Sequence, residues 1–156
     1  MLCQKTPMSI PLSAPAIYMI VAGVFVLLAI YSSIRIRTKL HGKRALGLAS
    51  LPGLLLLGLF YSLALHMYSS LGDWPVSIGN EGFSDQLVRH AELTGLYFAL
   101  LLYVCTFVWP ILFIICLGSE RLRRYVPVAT TFAIACYLAF VGILVAPHGF
   151  LNWWLD

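Results

Sequence analysis

His66 in "SLALHMY", His90 in "VRHAEL" and His148 in "APHGF" are the side chains of this 156-residue sequence with the widest chemical reach. Imidazoles that converge can bind haem iron, copper or zinc, with geometry and the remaining ligands deciding which. No CxxC, HxxxH or Cys-His pair accompanies them. The plain alternative is therefore three imidazoles that hydrogen-bond water, a backbone carbonyl or a lipid headgroup. Ser62 and His66 lie one helical turn apart and can be read as nucleophile and base, but no third group stands in the sequence to orient that histidine. Glu92 and His90, two residues apart, point to different faces of a helix. The expectation is that the chain is not an enzyme.

The elements that must carry these histidines follow from composition. Hydrophobic residues make up 61% of the chain and charged residues 10%, whereas a soluble domain carries about 25% charge. The charges cluster: Arg35, Arg37, Lys39, Lys43 and Arg44; then Asp73, Glu81, Asp85, Arg89 and Glu92; then Glu120, Arg121, Arg123 and Arg124. Between the clusters lie runs without an ionised side chain. A bilayer core of about 30 Å takes about 20 apolar residues of helix, because only internal hydrogen bonding satisfies the backbone there. Four runs qualify, at about 16–34, 45–66, 93–117 and 125–146. They predict an all-α integral membrane protein: one membrane domain over 1–156, four transmembrane helices in an antiparallel bundle, and a capping outer loop, 67–92, between the second and third. The first run is followed by Arg35, Arg37 and Lys39, a stop-transfer pattern, so it reads as retained and not as a cleaved signal.

Lysine and arginine near span ends stay on the cytoplasmic side. The loops after the first and third runs collect eight of them, while Lys5 and Arg89 are all that the other side holds. Both termini and the 67–92 loop are thereby assigned to the outer, periplasmic side of a bacterial inner membrane, with His66, His90 and His148 at one outer level. The net charge of +4 is a topology signal, with lipid attraction second, and gives no reason to expect nucleic acid. Cys105, Cys116 and Cys136 fall inside runs and read as small packing residues; no disulfide is expected.

Packing in lipid relies on small residues that let backbones approach. The second run offers Ala45, Ala49, Gly53, Gly58 and Ser62; the fourth offers Ala129, Ala133, Ala135 and Ala139. Pro52 and Pro110 kink the second and third runs, and Trp109 reads as a packing residue. Trp74, Trp153 and Trp154 read as interfacial anchors. In the outer loop Gly72, Pro75, Gly79 and Gly82 signal turns, and Trp74, Val76, Ile78 and Phe83 suggest a segment folded back over the bundle mouth. Ser84 reads as a helix cap with Asp85 in the first turn, so the third helix starts in water. Asp85, Arg89 and Glu92 then share a face where they can pair as ions or, with Trp74 and Phe83, bind a partner protein.

Four short spans with a histidine at "KLHGKRAL", "LALHMY", "RHAEL" and "APHGF" resemble the layout of a small bacterial four-helix family implicated in cytochrome oxidase assembly. That resemblance implies a role for His41, His66, His90 and His148 in handling haem or metal. The reading that follows is a non-catalytic accessory subunit or assembly factor of a larger membrane complex, respiratory or photosynthetic, with lipid and other membrane subunits as its partners. The alternatives are a homo-oligomeric channel or small transporter, and a haem- or metal-binding electron-transfer module using the outer histidines.

Overall fold

The structure, a computed structural model, describes residues 14–36, 43–74 and 83–155. The elements are α1 (Ala14–Ile36), α2 (Lys43–Leu71), α3 (Asp85–Tyr103), a π-helical turn at Val104–Val108, α4 (Trp109–Gly118), a 3₁₀ turn at Arg123–Tyr125, α5 (Val126–Leu144) and α6 (His148–Leu155), with no strand among the described residues. Lys43–Leu71, Asp85–Gly118 and Arg123–Leu144 are each long and apolar enough to cross a membrane, while the apolar stretch of α1, Met19–Arg35, is shorter. His41, Val76 and Ile78 lie outside the described residues.

Consecutive long helices alternate in direction, but the heart of the structure is a parallel pair. Along α2 and α5 the touching positions advance together: Gly53 meets the backbone of Ala135, and the Tyr61 hydroxyl donates to the Gly142 carbonyl at 2.8 Å. Gly53 permits this approach because a Cβ there would sit 2.5 Å from the Ala135 carbonyl oxygen. Leu56, Phe60, Leu63 and Met67, one stripe of α2 at alternating four- and three-residue steps, are fully buried against Cys136, Ala139, Phe140 and Ile143 of α5, the spacing expected of a helix face sealed by a partner. By contrast, the side of Gly58 is open. Of the small residues of α2, Gly53 thus makes the seam and Gly58 does not.

The remaining helices lean on this pair in antiparallel sense. On α1, Gly23 faces Tyr137 and the Ala29 carbonyl accepts from Thr130 at 3.3 Å, so α1 packs on α5 and makes no comparable contact with α2. Trp109, buried as its apolar surroundings predict, donates its indole N–H to the Ala129 carbonyl at 2.9 Å and so ties α4 to α5. The Tyr97 hydroxyl ties α3 to α2 by donating to the carbonyl of Pro52, inside α2, at 3.1 Å. Ser84 caps α3, its hydroxyl accepting from the Leu87 amide at 3.3 Å.

The C-terminal residues, whose Trp153 and Trp154 read as interfacial anchors, fold into α6 and close one end of the bundle. Phe150 is fully buried, with its ring 5.0 Å from Phe60 and 6.0 Å from Trp74. Trp154 meets Phe60 and Phe98 edge-on, and Phe83 covers Trp153. Of the loop residues expected to fold back over the bundle mouth, Trp74 and Phe83 are described, and both pack on α6.

Candidate functional site

At the end where α2 finishes and α3 begins, three polar side chains join in a line. The Ser62 hydroxyl lies 3.1 Å from His90 Nε2, and His90 Nδ1 lies 3.2 Å from His66 Nδ1. Ser62 and His66 are one turn apart on α2 and therefore share a face; α3 runs antiparallel beside that face and brings His90 between them. The histidine that the serine meets is thus His90 and not its helical neighbour. The two rings are tilted by 38°, with centroids 5.5 Å apart.

The surrounding hydrogen bonds fix the backbone around the line. Ser62 also reaches the Leu59 carbonyl at 2.9 Å, Ser69 donates to the His66 carbonyl at 2.9 Å, and Thr94 donates to the His90 carbonyl at 2.8 Å. Thr94 is fully buried, so its hydroxyl must find such an acceptor within the helix. His90 precedes Leu93, where the third apolar run begins.

Chemically this arrangement can do two things. A serine on an imidazole that a second group orients is the pattern of an activated hydroxyl. Two imidazole nitrogens 3.2 Å apart also match neighbouring ligands of one tetrahedral ion, whose metal–nitrogen bonds of about 2.0–2.1 Å place the nitrogens roughly 3.3 Å apart. Among the described residues no group of three or more His, Cys, Asp or Glu is placed to hold a metal. The pair would therefore bind an ion with its remaining positions filled by water or by another molecule.

His148 opens α6 and is exposed; among the described residues it makes no hydrogen bond to His66 or His90. Asp85, Arg89 and Glu92 lie exposed along α3, and no ion pair joins them among the described residues. Trp74 and Phe83 pack on α6, which places them beside the histidine pair's end of the fold and not within the line. Sequence reasoning missed the Ser62–His90 contact, for which no signal exists within either segment alone.

A second concavity lies at mid-helix depth. Val21, Phe25 and Val26 of α1 face Cys105, Trp109 and Pro110 across a partly open apolar cavity of about 210 Å³, floored by α5. It lies where α1, which packs chiefly on α5, passes the stretch around Pro110. No family model, curated protein or solved structure matches this chain.

Proposed function

We propose that the chain is an integral protein of a bacterial inner membrane, crossing it four times with both termini and the α2–α3 loop outside, and that it serves as an accessory subunit or assembly factor of a larger membrane complex. The observation that supports this best is the side opening between α1 and α4. An apolar cleft left between helices at membrane depth is the shape that seats a helix of a neighbouring subunit, because close packing supplies the attraction between helices in lipid. The exposed Asp85, Arg89 and Glu92 give the outer end a polar face for the same partner. Purification in mild detergent followed by identification of the accompanying proteins tests the reading. Defined large subunits are expected, and Ala22→Trp, which fills the cleft, is expected to release them. A homo-oligomer that conducts ions in liposomes, with no other subunit, would replace this reading by a channel.

The 3.2 Å separation of His66 and His90 favours a second reading, a haem- or metal-binding electron-transfer module. Stoichiometric metal or a haem absorbance band in the purified protein, lost in both His66→Ala and His90→Ala, would support it; protein free of both would count against it.

A further inference from the structure

The hydrogens of the serine–histidine line can be assigned by elimination. The Leu59 carbonyl can only accept, so the Ser62 hydroxyl at 2.9 Å donates to it. Ser62 then accepts from His90 Nε2–H, which leaves His90 Nδ1 bare to accept from His66 Nδ1–H. Every hydrogen has an acceptor in this state. Moving one proton within each ring reverses the line: His90 Nδ1–H donates to His66, and a bare His90 Nε2 faces the Ser62 hydroxyl. The expectation of no enzyme rested on the lack of a group to orient a histidine beside Ser62, and in the fold His66 is such a group.

We infer that Ser62 is a nucleophile toward carboxylic esters, with His90 as its general base once the line is reversed and His66 as the positioning residue that then accepts from His90 Nδ1–H. Ser62 Oγ attacks the ester carbonyl carbon while its proton passes to His90 Nε2. The resulting imidazolium donates through Nδ1–H to His66. Collapse of the tetrahedral adduct breaks the bond to the alcohol, which leaves with the proton from His90. Water then attacks the acyl-serine, again giving its proton to His90; the acid departs and the proton returns to Ser62 Oγ.

The surroundings indicate the ester. Ser62 is exposed, and one turn further along each helix stand Leu65, 70% exposed, and Leu93, 63% exposed. These apolar flanks suit an acyl chain. Given the four-span placement proposed above, Ser62 lies one turn inside the outer end of the second span, the level at which acyl esters join lipid tails to headgroups. The substrate class assigned is therefore the acyl ester of an outer-leaflet lipid.

The test uses the full chain in detergent with a long-chain alkyl fluorophosphonate, read by mass spectrometry of the labelled peptide. Label is expected on Ser62. It should disappear in Ser62→Ala, slow by about 100-fold or more in His90→Gln, and slow by about 10-fold in His66→Ala with an altered pH profile, which lost packing alone would not produce. Ser62→Cys guards against a folding defect: its thiol should react with iodoacetamide faster than in the Ser62→Cys, His90→Gln double variant. An unlabelled wild type, or His90→Gln labelled at the wild-type rate, overturns the nucleophile. This arm is independent of the membrane. In a second arm, phospholipid vesicles with fluorescent acyl chains should release fatty acid. Cleavage of a soluble nitrophenyl ester without that release overturns the lipid assignment, and neither arm depends on whether partner subunits co-purify.

Discussion

At Gly53 a single missing methyl group sets how close two helices stand. Its Cβ would meet the Ala135 carbonyl oxygen, a backbone atom that no rotamer change can move. Gly53→Ala is therefore expected to destabilise the protein by about 1–3 kcal/mol, whereas Gly58→Ala, with open space around it, should leave stability unchanged; thermal melts in detergent compare the two. Both the glycine seam and the three histidines His66, His90 and His148 were visible as residue types. What was hidden was the choice among them: Gly53 and Gly58 look alike in one chain, and Ser62 is paired with His66 by helical spacing until the register of α3 against α2 brings His90 to it.

Among the elements, the interruption of the third long helix and the closing of the bundle by α6 stand out. Pro110 has no N–H to return to the preceding turn, and the helix meets this with the π turn at Val104–Val108. Trp109 then locks the bend to α5 through its indole N–H. Trp109→Phe keeps most of the volume and loses that bond, so a loss of about 1 kcal/mol is expected in the same melts. The helix before the bend was legible down to its Ser84 cap, because capping is a local property of sequence. Helix α6 was not. Its eight residues contain two tryptophans that suit an interfacial anchor equally well, and only the contacts of Phe150 with Phe60 and Trp74 show that the segment plugs the bundle end. Phe150→Ala is expected to cost roughly 3 kcal/mol and to expose Trp74 and Trp153 to aqueous quenchers, measured by tryptophan fluorescence.

For the whole molecule, hydropathy and charge patterning gave the long helices close to their observed limits, since the length needed to cross a lipid core is a property of the chain alone. Neighbour relations were beyond that reach. Alternating direction suggests a ring in which each helix touches the next, whereas small residues draw α2 and α5 into a parallel central pair and α1 packs chiefly on α5. The cleft between α1 and α4, and the serine–histidine line at the other site, both follow from that arrangement. Their proposed uses share one premise: that the end bearing Ser62, His66 and His90 faces outward, with the basic turns after α1 and α4 inside. Impermeant labelling of single tags placed at the N- and C-termini in intact cells tests this most directly. The account predicts that both tags are labelled without permeabilising the inner membrane; a tag at either end that becomes reactive only after permeabilisation would contradict it.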